Sequence, residues 1–217
     1  MIKRELNFPI VYQNGRKIGY GGNQEWFPHL IKRKAGCGCT TGANLAVYYA
    51  ANHEKMAGIY DGDTRYFDIK EYLSAMEEMF TYMRPGLFGF PYVKKFANQF
   101  IRFCKDHGIS LEASFCNSYQ NAEEAFCYVK QNIDDGQPIA LLILFHRAYD
   151  LREDNWHWVT ITGYTLDGDG LETAEIIMSN CGERETVKAV DLFEVHRINK
   201  IRMVSFHKIS EYFTNNN

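Results

Sequence analysis

The sequence lacks an apolar run long enough to span a membrane. Its longest strongly apolar run covers 138–145, whereas a membrane-spanning helix needs about 20 such residues. The N-terminus includes Lys3 and Arg4, but no apolar stretch follows them, so a secretory signal is not predicted. We therefore expect no membrane partner, and the cytoplasm is the expected location.

The chain also lacks an excess of charge of either sign. Its net charge is −3 over 217 residues, and 46% of the residues are hydrophobic, which is typical of a globular protein. A nucleic-acid partner is not expected, because there is no basic excess to attract phosphate. Repeats, low-complexity tracts and long linkers are missing as well, so residues 1–217 are predicted to form a single domain.

Cysteine is too sparse to suggest a disulfide scaffold. The cysteines are scattered along the chain at positions 37, 39, 104, 116, 127 and 181, and in a chain without a predicted signal they are expected to be free thiols. Histidines other than His157 show no metal-binding spacing with one another or with the cysteines. We therefore expect neither a metal nor another cofactor.

Helix and strand signals divide the chain into two parts. The first 35 residues are predicted to be extended or looped, and helices are predicted near 42–52, 68–83 and 91–106. The second half is predicted to hold one amphipathic helix and several strands: helix 121–136 and strands near 109–115, 138–145, 156–165, 173–180 and 200–207. This order indicates an α+β fold, with a helical lobe at about 36–107 and a mostly antiparallel sheet lobe at about 108–210.

The segment A-G-C-G-C-T-T-G-A-N places Cys37 in a glycine turn just before a predicted helix, with Thr40 and Thr41 as the predicted N-caps. A helix N-terminus presents free N–H groups and about half a positive charge, and both stabilise a thiolate. The thiolate is the nucleophilic form of cysteine. A buried structural cysteine, or a C-x-C metal or redox pair with Cys39, fits the same motif.

Two later segments supply a base and an orienting group. His157 begins the predicted strand H-W-V-T-I-T-G-Y, and Asn180 ends the strand E-I-I-M-S-N. A turn centred on Gly168 and Asp169 pairs the two residues directly, whereas a turn shifted by one residue leaves them diagonal on the same face. The Asn180 oxygen then accepts the Nδ1–H of His157 and directs Nε2 at the thiol. A core histidine and a local asparagine turn are the alternatives.

Together these segments resemble the papain-like cysteine peptidase superfamily, whose site residues follow in the order Cys, His, Asn. They are most similar to stand-alone relatives of the bacteriocin-leader-processing peptidases. The resemblance implies a helical lobe packed on an antiparallel half-barrel, with Cys37 as nucleophile, His157 as base and Asn180 as orienting group. Cys39 stands where that group varies, and it remains the alternative nucleophile.

The resemblance also implies an oxyanion donor and a reaction. Papain-like enzymes use a glutamine about six residues before the nucleophile, where this chain has Ile31. Gln24 is the expected donor if its loop reaches the cleft; a loop amide that bonds its own backbone is the alternative. The implied function is a cysteine peptidase or amidase that cleaves a peptide or amide substrate through a thioester. An acyl or peptidyl transferase and a non-catalytic peptide-binding module remain alternatives.

Overall fold

The computed structural model describes residues 1–86, 89–148, 151, 154–168 and 170–209. The helices of this part are α1 (Leu30–Ala35), α2 (Cys37–Asn52), α3 (Ile69–Tyr82), α4 (Val93–Asp106), α5 (Ala122–Asp134) and α6 (Ala189–Leu192). The strands are β1 (Ile2–Glu5), β2 (Ile10–Gln13), β3 (Arg16–Tyr20), β4 (Phe67–Asp68), β5 (Leu111–Cys116), β6 (Ile139–Phe145), β7 (His157–Leu166), β8 (Glu175–Asn180), β9 (Glu183–Lys188) and β10 (Lys200–Lys208).

The fold is α+β, as the sequence predicts, and its main sheet is open. Seven strands form this sheet in the order β5-β10-β6-β7-β8-β9, with β1 added to β7, and these pairings are antiparallel. The β1 strand approaches β7 closely at Gly163, where a Cβ atom would lie 2.5 Å from the carbonyl oxygen of Arg4. A second sheet has the order β3-β2-β4.

Helices cover both faces of the main sheet. Trp158 and Phe206 belong to the core beneath α2, α3 and α4, whereas Val159 and Ile161 belong to the core beneath α5 and α6. This alternation along β7 confirms the predicted strand faces. The division into lobes at about 36–107 and 108–210 stays a prediction, and residue 210 lies outside the described residues. No helix in the described part is long and apolar enough to cross a membrane.

The site helix α2 begins earlier than the sequence predicts. Its N-cap position is held by Gly36, so the predicted caps at Thr40 and Thr41 are wrong, and both threonines lie inside the helix. A Cβ atom at Gly36 would lie 2.3 Å from the carbonyl oxygen of Lys32 and 2.7 Å from the ring of Phe27. Glycine at this position therefore allows α1 and α2 to meet at a tight junction.

The register of the β7–β8 hairpin differs from the one that would pair His157 directly with Asn180. Thr160 pairs with Ser179, and a bulge near Thr162 shifts the register beyond it. The prediction that His157 faces Asn180 directly is therefore wrong, and the two residues lie one diagonal step apart on the same face, as the shifted turn predicts. The connection contains a helical turn at Leu171–Thr173, and Asp169, assigned to the predicted turn, lies outside the described residues.

Two regions differ more from the sequence prediction. The first 35 residues contain three strands, which agrees with the predicted extended chain, but they also contain α1, which the sequence does not predict. Strand β9 is not predicted at all; a two-residue turn at Cys181 and Gly182, with φ values of 46° and 81°, joins it to β8. Positive φ at both central positions is the geometry of a type I′ hairpin.

Candidate active site

Cys37 is the first residue of α2, and its thiol lies at the positive end of the helix. Burial raises the pKa of this thiol, but the hydrogen bond and charge of His157 and the N–H groups of Trp158 and Gly38 oppose burial. Their combined effect lowers the pKa of Cys37 below its ordinary value. The local environment therefore favours the thiolate.

His157 begins β7, and the neighbouring Trp158 holds this end of the strand in place. The Trp158 Nε1 donates to the carbonyl oxygen of Phe90 at 2.7 Å. The Trp158 ring also stacks on the ring of Phe96, with 4.3 Å between the ring centroids. Burial lowers the pKa of His157, but hydrogen bonds to Cys181 and Cys37 and the charge of the Cys37 thiolate raise it well above its ordinary value. Both shifts favour a thiolate–imidazolium pair.

Asn180 contacts His157 through the ring nitrogen opposite to the predicted one. Its Oδ1 lies 2.9 Å from Nε2 of His157, so the prediction that Asn180 accepts the Nδ1–H is wrong. Because Nε2 is engaged by Asn180, Nδ1 is the nitrogen that remains for the sulfur of Cys37. The difference arises from the rotation of the imidazole about its side-chain bonds, which strand periodicity does not specify.

The alternative nucleophile, Cys39, faces away from His157. Its Sγ donates to the carbonyl oxygen of Met83 at 3.3 Å, and burial raises the pKa of its thiol well above the ordinary value. A second sulfur does reach the site: the Cys181 Sγ lies 3.6 Å from Nε2 of His157. The structure thus brings Cys37 and Cys181, but not Cys39, to the imidazole.

Gln24 lines the same cavity as Cys37 and His157. It opens a helical turn, Gln24–Trp26, whose N-cap Asn23 accepts the Glu25 N–H at 2.9 Å. The Oε1 of Gln24 is buried, and it has no hydrogen-bond partner among the residues that the structure describes. The spacing from Gln24 to Cys37 is 37 − 24 = 13 residues, and α1 occupies much of this interval, so a longer connection brings the amide to the cavity.

Asn44 fixes the loop that carries Gln24, and its role is not predicted from the sequence. Its Oδ1 accepts the Gly22 N–H at 2.8 Å and the Tyr72 hydroxyl at 2.7 Å, and its Nδ2 donates to Thr160 Oγ1 at 3.3 Å. Asn44 lies seven residues after Cys37, which places both on one face of α2. A polar residue at this spacing in a buried helix is the signal that indicates such a role.

A further hydrogen bond holds the same loop from the sheet side. The Ser179 hydroxyl donates to the carbonyl oxygen of Tyr20 at 2.6 Å, and the Tyr20 N–H donates to the carbonyl oxygen of Gly182 at 2.6 Å. The segment before Gln24 is therefore attached to α2, to β8 and to the turn before β9. Such attachment from three elements restricts where the Gln24 amide can lie.

The cavity at the site is narrow. The space in it that is open to a water-sized molecule is about 10 Å³, which is roughly the volume that one water needs. The structure therefore leaves little open space beside Cys37. Among the described residues, no group of three or more His, Cys, Asp or Glu side chains is arranged to hold a metal ion.

Comparisons with known proteins add no relatives: no protein-family model matches this chain, and no curated protein matches it either. The resemblance to papain-like peptidases therefore stays a prediction from the sequence motifs. The functional argument rests on the geometry of Cys37, His157, Asn180 and Gln24.

Proposed function

We propose that this chain is a papain-like thiol hydrolase, a cysteine peptidase or amidase that cleaves a peptide or amide bond. One observation carries the proposal: Cys37, at the N-terminus of the buried helix α2, shares a cavity and an electrostatic interaction with His157, whose Nε2 lies 2.9 Å from Oδ1 of Asn180. Cys37 is the nucleophile, His157 the acid and base, and Asn180 the group that orients His157.

In the first half-reaction, the Cys37 thiolate attacks the substrate carbonyl carbon, and the carbonyl π electrons move onto its oxygen. The tetrahedral intermediate collapses when His157 gives its Nδ1 proton to the leaving nitrogen and the carbon–nitrogen bond breaks. The amine product leaves, and the acyl group remains on Cys37 as a thioester. The lowered pKa of Cys37 and the raised pKa of His157 suit this start, because the thiolate and the proton are both present.

The developing oxyanion needs hydrogen-bond donors. The backbone N–H of Cys37 is unpaired within α2, since the first N–H groups of a helix have no intrahelical acceptor. The side chain of Gln24 lines the same cavity and supplies a second donor through Nε2. This location supports Gln24 as the donor in a chain that has Ile31 at the usual glutamine spacing.

In the second half-reaction, water hydrolyses the thioester. His157, now neutral, takes a proton from water through Nδ1 while the hydroxyl oxygen attacks the acyl carbon. The Cys37 thiolate is the leaving group, the acid product departs, and the thiolate–imidazolium pair is restored. Every proton taken up in this cycle is also released, and the cycle needs no cofactor. The proposed location of the protein is the cytoplasm.

Covalent trapping and substitution at Cys37 test this function. The protein is incubated with a peptide library, the cleavage products are identified by mass spectrometry, and an acyl adduct is sought by intact-mass analysis after an acid quench. We expect an adduct on Cys37 and loss of turnover in Cys37→Ala, whereas the matched control Cys39→Ala retains turnover because its thiol faces Met83. Turnover that persists in Cys37→Ala contradicts the proposal.

The same experiment separates hydrolysis from acyl transfer. Water and an added amine such as glycinamide compete for the thioester, and the product ratio identifies the preferred acceptor. A hydrolase yields mainly the free acid, whereas an acyl or peptidyl transferase yields mainly the glycinamide adduct. If the protein binds peptides but forms no adduct, the result indicates a non-catalytic binding module.

A further inference from the structure

Two carboxylates hold the side-chain amide of Asn180. The Nδ2 of Asn180 donates to Oδ1 of Asp154 at 3.0 Å and to Oε2 of Glu185 at 3.1 Å. On the other side of the same amide, Oδ1 lies 2.9 Å from Nε2 of His157. The amide is buried, and both carboxylate residues are half-buried.

An asparagine amide is two-sided, and its orientation depends on its partners. An ionised carboxylate only accepts hydrogen bonds, so two carboxylates on one side require the NH₂ group to face them. Rotation of the amide by half a turn would set the Asn180 oxygen against two carboxylate oxygens. The orientation is therefore fixed without any contribution from His157.

We propose that Asp154 and Glu185 are positioning residues that fix the Asn180 amide and thereby select the tautomer of His157. The inference rests on the proposed function, in which His157 exchanges a proton with Cys37. With Oδ1 of Asn180 held toward the ring, Nε2 must carry a proton to donate. In neutral His157 the lone pair then lies on Nδ1, the nitrogen left for the Cys37 sulfur.

The orientation of the Asn180 amide also determines which of two acceptors, Asn180 or Cys181, bonds to Nε2 of His157. The Cys181 Sγ lies 3.6 Å from Nε2 of His157, farther than the Asn180 oxygen but within reach of a hydrogen bond to sulfur. If the amide turned, the Nε2 proton would have Cys181 as its remaining acceptor. The two carboxylates therefore keep the Nε2–H on Asn180.

The two carboxylates come from different parts of the fold. Asp154 lies in the turn before β7, where its carbonyl oxygen accepts the His157 N–H at 3.1 Å. Glu185 lies on β9, two residues beyond Glu183, which pairs with Asn180. If either carboxylate is substituted, the other still accepts a hydrogen bond from the NH₂ group of Asn180. We therefore expect the two residues to be redundant.

The test compares Asp154→Asn, Glu185→Gln and the double variant, using two readouts. One is the pH dependence of iodoacetamide alkylation of Cys37, followed on its peptide by mass spectrometry. The other is the ¹⁵N NMR spectrum of the His157 ring, recorded for each protein in a Cys37→Ala form at a pH where the ring is neutral, so that it identifies which nitrogen carries the single proton. The groups that contact His157, and that can therefore influence the pH dependence of alkylation, are the Cys37 and Cys181 thiols and the Asn180 amide.

We expect each single variant to alkylate within about twofold of the wild type, and the double variant to alkylate about tenfold more slowly below neutral pH. In the double variant the ¹⁵N spectrum should show a mixture of His157 tautomers. Glu183→Gln is the matched control, because it removes an exposed charge opposite Asn180 on β9, and wild-type behaviour is expected.

A substitution at Asn180 gives an independent test that does not need the double variant to fold. Asn180→Asp keeps an acceptor for His157 but sets an oxygen against both carboxylates. We expect it to slow alkylation, and we expect Asp154→Asn to restore part of the rate by offering an amide donor. In an Asn180→Ala background, the carboxylate substitutions should have no further effect.

The inference is overturned if the double variant retains the wild-type tautomer and alkylation profile, or if the carboxylate substitutions act equally in the Asn180→Ala background. A wild-type Cys37 that alkylates like an ordinary thiol contradicts the proposed function instead. In that case the His157 tautomer, read by NMR in the wild type and the double variant, still decides this inference.

Discussion

The Nε2 of His157 lies 2.9 Å from the Oδ1 of Asn180, which leaves Nδ1 for the sulfur of Cys37. This relationship assigns a direction to every proton transfer in the proposed reaction. The imidazole exchanges protons with the thiol and the substrate through one nitrogen, and the other nitrogen stays bonded to the amide. The orientation of the ring therefore depends on β8 as well as on β7.

Removal of the orienting amide should slow the reaction without abolishing it. In Asn180→Ala, His157 loses one hydrogen bond, and a loss of about 1–1.5 kcal/mol corresponds to roughly a tenfold decrease in kcat. His157→Ala should cost more, about 10²–10⁴-fold, because it removes the acid and base itself. Steady-state kinetics on one cleaved peptide compares the two variants, and equal losses would contradict the division of roles.

Gln24 should affect turnover but not the reactivity of the thiol. Gln24→Ala and the near-isosteric Gln24→Glu both remove the Nε2 donor, and loss of one oxyanion donor typically lowers kcat about 10²–10³-fold. Alkylation of Cys37 by iodoacetamide forms no oxyanion, so its rate should stay close to that of the wild type. A parallel decrease in alkylation and turnover would indicate that Gln24 supports the structure of the loop and not the transition state.

Asn44 should contribute to stability and to activity together. Asn44→Ala leaves the Gly22 N–H and the Tyr72 hydroxyl buried without their acceptor, and each such group costs about 1–3 kcal/mol. We expect the free energy of unfolding to fall by about 3 kcal/mol, measured by urea denaturation.

Tyr72→Phe is the control for the Asn44 substitution. It removes one hydroxyl and leaves the Gly22 contact intact, so a loss of about 1 kcal/mol is expected. Turnover should fall in Asn44→Ala beyond the fraction that is unfolded, because the loop carrying Gln24 loses its attachment to α2. Equal destabilisation by the two variants would contradict the central place of Asn44.

The ion pair between Glu5 and Arg184 should make stability depend on acid pH. Two hydrogen bonds of 2.7 and 2.9 Å join the side chains and attach β1 to β9. The Arg184 hydrogen bond lowers the pKa of Glu5 from 4.5 to about 2, against the opposing effect of burial. Because the folded pKa is depressed, this contribution is present above pH 4.5 and is lost as the pH falls toward 2.

The measurement for this pair is the unfolding free energy as a function of pH in the wild type and in Glu5→Gln. The variant should be less stable at neutral pH, and the difference should shrink between pH 4.5 and 2. Glu172→Gln, at an exposed position, serves as the control and should follow the wild-type curve. A constant difference between wild type and Glu5→Gln at all pH values would contradict the assignment.

The sequence predicts the parts of the fold in which apolar periodicity is strong. The helix at 121–136 corresponds to α5 (Ala122–Asp134), and the apolar run at 138–145 corresponds to β6. Strand β9 escapes prediction because its sequence, E-R-E-T-V-K, buries no residue fully and so shows no apolar face. Its signal is the short turn at Cys181 and Gly182, although cysteine is an unusual residue at positive φ.

The candidate site is predictable in its residues but not in its details. The helix-tip position of Cys37 and the shared face of His157 and Asn180 follow from spacing and alternation. The ring nitrogen that meets Asn180 depends on a side-chain rotation, and the contacts of Asn44 depend on loops folded over α2. Such features are set by tertiary packing, for which a single sequence carries no periodic signal.

The measurement that most directly tests the central claim is the rate of iodoacetamide alkylation at Cys37 as a function of pH, in the wild type and in His157→Ala. The lowered pKa of Cys37 comes largely from His157 acting against burial, so the wild type should react rapidly well below about pH 8.5, the ordinary thiol pKa. In His157→Ala the profile should move up to or beyond that value. Identical profiles in the two proteins would contradict the thiolate–imidazolium pair.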